Sequence, residues 1–282
     1  MIISRTPFRI SLFGGGTDYP VWYNNHKGCS INATINKYCY ITTRYLPPFF
    51  NYKHRIRYYL HEETDSLEAI KHPSVRETAK FLKINRGIEV VHNADLPAQS
   101  GLGSSSTFTV GLLNSLYGLK NYLPTKRELA LNAIHIEQNL INENVGSQDQ
   151  TAAAFGGMNR IFFSRENIID VDLILISQDR LIQLQNNLML FFTGFARNAS
   201  DVAKEQIKNT LKKKNELKNI IGITYDPIVS SDVVRSTLSG LIDGLATMGI
   251  NNKKIKLIIW FDNGWGYASR IIDTIKRLGQ EL

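Results

Sequence analysis

The stretch Leu96 to Phe108, LPAQSGLGSSSTF, places two glycines and four serines just ahead of the apolar run Thr107 to Leu113. Such a stretch serves either as a flexible polar turn or as a phosphate cradle. In a cradle the glycines let the backbone approach an anion, the serines add hydroxyl donors, and the following helix presents unpaired N–H groups and the positive end of its dipole. Two further polar clusters share the chain with it, RTPFRISLFGGGTD at 5–18 and IEQNLINENVGSQD at 136–149. Taken singly, each reads equally well as a turn or a solvated helix end. Their order and spacing along one chain are what point to chemistry.

The elements that must position these clusters follow from local patterning. Ile2 to Phe13 alternates as a strand and GGGTDYP behind it reads as a turn. Residues 29–46 and 55–60, rich in β-branched and aromatic side chains, read as further strands, as does 87–95. Ser66 to Leu82 reads as helical, and a helix is expected from about Ser105 to Tyr117. Thr125 with Glu128 three residues on makes a capping box for a helix running to about Asn142. The segment 145–157 begins as a loop, passes through a short helix and ends at a glycine pair; 158–192 reads as several short strands, NLMLFFTG at 187–194 the clearest. Strands first and helices later, without strict βαβ alternation, predict an α+β fold.

Size and composition narrow the function classes. At 282 residues with 43% hydrophobic residues and a mean hydropathy of −0.18, the chain fits a soluble globular protein of two domains. The N-terminus lacks the charged n-region, long apolar core and cleavage site of a leader, and no apolar run approaches the roughly 20 residues that span a bilayer. Cys29 and Cys39 are the only cysteines, which predicts reduced thiols and a cytoplasmic address. The net charge of +8 favours anionic ligands. Its basic residues are scattered except in AKEQIKNTLKKKNELK at 203–218, which reads as a solvated helix face, so neither a nucleic acid nor a membrane is an expected partner.

Together the three clusters resemble the signature motifs of the GHMP kinase superfamily, the galactokinase, homoserine kinase, mevalonate kinase and phosphomevalonate kinase group. The run from Pro97 through Ser106, PxxxGLGSSS, is similar to that family's phosphate-binding motif in nearly full form. The resemblance implies a two-domain fold with an N-terminal ribosomal-S5-like domain, and ATP and Mg²⁺ as cofactors. It implies that Pro97, Gly101, Leu102, Gly103, Ser104, Ser105 and Ser106 wrap the nucleotide phosphates. A serine, Ser104 or Ser105, would reach the metal and Glu137 would complete its site, a hard oxygen set suited to Mg²⁺. Asp149 matches the aspartate that faces the acceptor hydroxyl, and Arg9 the basic residue near the transferring group, which is most of what phosphoryl transfer requires. Outside the resemblance, Glu137 reads as a solvated helix carboxylate, Arg9 as a surface cation and Asp149 as a helix cap.

The first cluster resembles the sugar-kinase branch that contains heptose 7-phosphate kinases and fucokinase domains. That likeness implies a sugar phosphate as substrate, phosphorylated on its anomeric hydroxyl, with Gly15, Gly16, Thr17 and Asp18 binding sugar hydroxyls; a carboxylate accepts two hydrogen bonds from a vicinal diol. In FFTGFARNASDVAKEQ, 191–206, Arg197 is a candidate for a substrate phosphate, and equally a surface arginine at a helix start. A free-sugar kinase of the fucose type and a catalytically silent binding module are the alternatives.

The family's third, glycine-rich motif has no counterpart here. From about residue 219 the sequence resembles instead the C-terminal end of glyceraldehyde-3-phosphate dehydrogenases, through VSSDVV, KLIIWFDN and a WGY-led final segment, with Gly264 after Asn263 where that family's pattern has glutamate. No GxGxxG follows an N-terminal strand, so a dinucleotide site is not expected. The expected organisation is an N-terminal kinase-like domain over 1–165, the start of an incomplete or atypical C-terminal domain over 166–218 and a dehydrogenase-like tail over 219–282. Exposed apolar area on such pieces would favour a homo-oligomer.

Overall fold

Alternating β-branched and aromatic residues form two long strands, β1 (Ile2–Phe13) and β2 (Gly28–Tyr45), as the sequence predicts. The computed structural model describes residues 1–98, 100–165 and 168–188, together with five short strands farther along, β8 (Ile221–Thr224), β9 (Gly240–Asp243), β10 (Met248–Asn251), β11 (Lys254–Lys256) and β12 (Ile259–Trp260). Arg197, Asn263, Gly264 and the segment from 189 to 194 lie outside the described residues.

A seven-stranded sheet carries the architecture. Strands β3 (His54–Arg57), β4 (His61–Thr64), β5 (Ile88–Ala94), β6 (Met158–Ser164) and β7 (Ile168–Leu173) join β1 and β2 in the order β4-β3-β5-β2-β6-β7, with β1 also paired to β2. All pairs are antiparallel except β3 with β5. β2 is long enough to hold β1 along its length while its N-terminal half pairs β6 and its C-terminal half pairs β5. The helices α1 (Pro20–Tyr23), α2 (Pro73–Phe81), α3 (Ser104–Leu119), α4 (Lys126–His135), α5 (Gln148–Phe155) and α6 (Gln178–Asn186) complete the described chain.

α3 lies on β1 and β2 at the centre of the core, where Val110, Leu112, Leu113 and Leu116 meet Phe8, Ile41, Ile56, Ile88, Val90 and the α2 residues Val75 and Ala79. Close approach of helix and sheet is built in. The Ser4 hydroxyl donates to the Gly111 carbonyl at 2.7 Å, and a Cβ at Gly111 would stand 2.8 Å from Thr6 Oγ1. The fold is thus α+β with helices against the sheet, as read from the sequence.

Two local expectations change. The helix read over 66–82 begins only at Pro73, and a short strand, 61–64, comes ahead of that segment. Proline at the first helical position fixes φ for the helix, and it holds the preceding His72 extended, so the helix cannot start earlier. Within 158–192, residues 178–186 are helix: the Ser177 side chain accepts from the Arg180 N–H and caps it. The Thr125 cap is found, with its hydroxyl accepting from the Glu128 N–H at 3.1 Å, but α4 passes into a π-helical turn, Ile136–Leu140.

Replacing Gly111 by valine crowds the helix–sheet contact and is expected to cost about 1–3 kcal/mol of stability. Urea unfolding of the two proteins checks this; an unchanged midpoint would mean that the helix can shift without loss.

Candidate active site

Alternation along β1 buries Ser4, Thr6 and Phe8, so Arg9 is due to point outward. Instead the pairing with β2 slips between Pro7 and Arg9, and Phe8 and Arg9 are both buried in succession. Pro7 has no N–H for the ladder, and a bulge beside it re-aims the next side chains. Arg9 therefore turns to the helix side, where its Nε donates to Asp149 Oδ1 at 2.7 Å and its Nη2 to Asp149 Oδ2 at 2.5 Å. Its Nη1 donates to the Gly101 carbonyl at 3.1 Å, and its backbone N–H to the Leu102 carbonyl at 3.3 Å. One arginine thus ties the Gly/Ser loop to the acidic cluster.

The loop turns through Gly101 and Gly103, both at φ +76°, a left-handed conformation that glycine adopts without strain. Gly103 also lies close to the ion pair: a Cβ there would stand 3.2 Å from Arg9 Nε and 3.3 Å from Asp149 Oδ2. α3 starts directly after it without a side-chain cap, so its positive end faces the loop. Pro97 precedes this turn and Leu102 lies within it between the two glycines, while Ser105 is exposed and Ser106 is buried.

Glu137 sits in the π-helical turn and is wholly buried. Its Oε2 accepts from Ser106 Oγ at 2.8 Å and from Gln150 Nε2, and its Oε1 accepts from Thr109 Oγ1 at 2.7 Å. All three partners are neutral, and burial pushes its carboxyl up to about 7 against their opposing hydrogen bonds. Among the loop serines Ser106 contacts Glu137, because it faces inward on the first turn of α3. Among the described residues, no group of three or more His, Cys, Asp or Glu side chains comes together to hold a metal. The donor set on offer is one carboxylate with hydroxyls, which suits a hard cation.

The GGGTD turn is held from within. Thr17 and Asp18 are buried, 1% and 2% exposed, and their side chains bond to neighbouring backbone. The Thr17 hydroxyl donates to the Gly14 and Cys29 carbonyls and accepts from the Cys29 N–H. Asp18 Oδ1 accepts from the Gly16 N–H at 2.8 Å and Oδ2 from the Gln148 N–H at 3.1 Å. Burial first, and Asp149 second, push the Asp18 carboxyl up to about 6. Gly15 is buried as well, so of Gly15 to Asp18 it is Gly16 that is partly exposed.

The structure therefore gathers Arg9, Gly101 to Ser106, Glu137 and Asp149 at one place, with Asp18 behind them. Thr109 and Gln150 were not foreseen. Thr109 stands three residues after Ser106, on the same face of α3, which is a signal the sequence does carry; Gln150 beside Asp149 carries none.

Comparison with known proteins agrees with both likenesses. Residues 69–157 match the GHMP kinases N terminal domain, a span holding the Gly/Ser loop, Glu137 and Asp149 but not Arg9 or the GGGTD turn. Residues 187–263 match the glyceraldehyde 3-phosphate dehydrogenase C-terminal domain. A D-glycero-alpha-D-manno-heptose 7-phosphate kinase of Campylobacter jejuni is 28% identical over 263 residues, covering 90% of this chain and 77% of that protein. The crystal structure of a D-glycero-D-manno-heptose 1-phosphate kinase from Bacteriodes thetaiotaomicron superposes with a TM-score of 0.62 at 26% identity, over 75% of this chain and 72% of that one. Lactococcus lactis galactokinase, TM-score 0.53 at 19% identity over 77% of this chain and 57% of that one, shares the fold. A glyceraldehyde-3-phosphate dehydrogenase of Borreliella burgdorferi is 44% identical over 81 residues, 28% of this chain; the chain spans only 24% of that protein's length.

The Glu137 environment makes a pH prediction. Its carboxyl is raised from 4.5 to about 7 on folding, so the folded chain holds this proton more tightly than the unfolded one. The stability it contributes is present below about 4.5 and is lost as pH rises through 7. Glu137→Gln, which cannot ionise, is expected to remove a fall on the order of 3 kcal/mol between those limits. Thermal melts of both proteins at pH 5 and pH 7.5 decide it; parallel losses would show that Glu137 is not the group responsible.

Proposed function

We propose that this chain transfers a phosphoryl group from ATP to the anomeric hydroxyl of a heptose phosphate or a similar sugar phosphate. The observation that carries the reading is the meeting of the Gly/Ser loop with the Arg9–Asp149 pair, which sets an anion cradle and a carboxylate side by side. Support for the substrate class comes from the two heptose phosphate kinases that resemble the chain.

In this reading the loop from Gly101 to Ser106 takes the nucleotide phosphates on backbone N–H groups, aided by the α3 dipole. Arg9, already between loop and Asp149, supplies positive charge beside the transferring group. Asp149 accepts or orients the proton of the attacking hydroxyl, with both oxygens held in one plane by the guanidinium. Mg²⁺, held by Glu137 with Ser104 or Ser105, would neutralise phosphate charge when bound. The acceptor rests against the turn from Gly15 to Asp18, and Arg197 is proposed to take the phosphate that the sugar already bears.

Asp149→Asn should remove most turnover while leaving ATP affinity nearly intact, because its work is on the acceptor side. A coupled ADP-release assay over a panel of sugars and sugar phosphates, with calorimetric titration of ATP in the presence and absence of Mg²⁺, tests both halves. A variant as fast as wild type would remove Asp149 from the mechanism, and folded protein that binds no nucleotide would end the kinase reading.

The dehydrogenase-like match stands where the third kinase motif is expected. We expect turnover to be slower than in a chimera carrying an intact kinase C-terminal domain, since misplacement by about 1 Å costs on the order of a hundredfold in rate. Equal rates in a side-by-side assay would mean that the native C-terminal segment closes the site adequately.

A further inference from the structure

We propose that Gln148 is a specificity-determining residue of the acceptor site: its side-chain amide donates a hydrogen bond to a sugar oxygen that flanks the hydroxyl facing Asp149. The proposal rests on the phosphoryl-transfer reading above and names the group that recognises the anomeric end of the sugar.

Three observations carry it. First, Arg9 and Ser11 stand two residues apart on β1 within an unbroken stretch of its pairing with β2, so their side chains leave the same face of the sheet about 7 Å apart. Arg9 meets Asp149, and Ser11 Oγ donates to Gln148 Oε1 at 3.0 Å. Gln148 thus lies one strand step beyond the Arg9–Asp149 pair, toward Phe13 and the turn against which the acceptor is proposed to rest. Second, the Ser11 hydroxyl takes the amide oxygen and so sets which end of the side chain is left for a ligand. Among the described residues Gln148 Nε2 has no hydrogen-bond partner, and the residue is partly exposed. Third, Gln150 on the same helical turn shows the opposite arrangement: it is wholly buried, and its Nε2 is spent on Glu137. Of the two glutamines that flank Asp149, Gln148 is the one that keeps its donor. Its backbone N–H is bound to Asp18 Oδ2 at 3.1 Å, so the side chain leaves from a fixed point.

The chemistry of the pair fits one end of a cyclic sugar. A carboxylate accepts hydrogen bonds and an amide nitrogen only donates them. The anomeric hydroxyl brings the hydrogen for Asp149. Two oxygens flank it: the ring oxygen, which only accepts, and the C2 hydroxyl, which accepts as well as donates. Either offers Gln148 Nε2 a lone pair, and a sugar that lacks it leaves a donor unmatched in a partly enclosed site, where that costs more than in water.

The test runs wild type, Gln148→Leu and Gln148→Glu through the coupled ADP-release assay. The acceptors are a heptose 7-phosphate, its 2-deoxy analogue and its carbocyclic analogue, in which a methylene replaces the ring oxygen. On the parent sugar phosphate Gln148→Leu is expected to lower kcat/KM about 3- to 12-fold. Gln148→Glu, which turns carboxylate lone pairs toward the same oxygen, is expected to lose more. One of the analogues should cost wild type a similar factor and cost Gln148→Leu almost nothing, because the contact is already gone. Which analogue does so separates the C2 hydroxyl from the ring oxygen. Wild type that loses nothing on either analogue would overturn the proposal. So would equal losses in wild type and Gln148→Leu, or a Gln148→Leu protein as fast as wild type. If Gln148→Leu does not fold, Gln148→Glu takes its place in the analogue comparison. A wild-type protein inactive on every acceptor defeats the kinase reading. Calorimetric titration of the heptose 7-phosphate into the three proteins then decides the contact without turnover: tighter binding by wild type is expected, and equal binding or none overturns it.

Discussion

Arg9 is the residue on which the arrangement of the site depends. Its guanidinium spans both oxygens of Asp149 and reaches the Gly101 carbonyl, so three segments far apart in sequence are held by one planar group. Charge-assisted, two-point contacts of this kind are stronger and more directional than neutral hydrogen bonds. The geometry is also confining, since a Cβ on Gly103 would press to 3.2 Å on Arg9 Nε and 3.3 Å on Asp149 Oδ2. The bulge at Pro7 is what allows this: without the slip in pairing, the same arginine would leave the sheet on the solvent side.

Around that pair the protein keeps two further carboxylates out of water. Glu137 and Asp18 are each satisfied by two or three neutral donors, yet both are pushed toward their protonated forms by burial. Neither is a favourable core residue, and an amide or hydroxyl in either place would fold at less cost. Local choices that oppose stability while converging on one place are the mark of a working site. Here they converge on α5, whose first turn carries Gln148, Asp149 and Gln150 to Asp18, Arg9 and Glu137 respectively.

Two families' patterns meet in one chain. The likeness to the Campylobacter jejuni kinase covers 90% of it, while the dehydrogenase match occupies 187–263, so the two spans overlap. The kinase-like site residues other than Arg197 all precede that overlap, on a sheet and helices with a core of their own. The dehydrogenase likeness covers about a quarter of such an enzyme and falls in the domain named for its C-terminal part. The chemistry proposed above, Arg197 apart, therefore rests on residues that precede the overlap.

The sequence by itself determined the long strands, the start of α4 and the place of the Gly/Ser loop ahead of α3, because alternation, a capping threonine and a Gly/Ser run are local properties that survive any packing. It also made Glu137 and Asp149 legible, but only through their company with that loop. The inward turn of Arg9 was decided by a slip between two strands, which depends on the partner's register and not on β1 alone. The helix over 178–186 and the late start of α2 were misread where a proline and a serine cap outweighed hydrophobic pattern. Asp18 and Gln150 took their roles from tertiary contact, since which backbone amide or carboxylate a buried polar group meets is set by chain segments more than ten residues away.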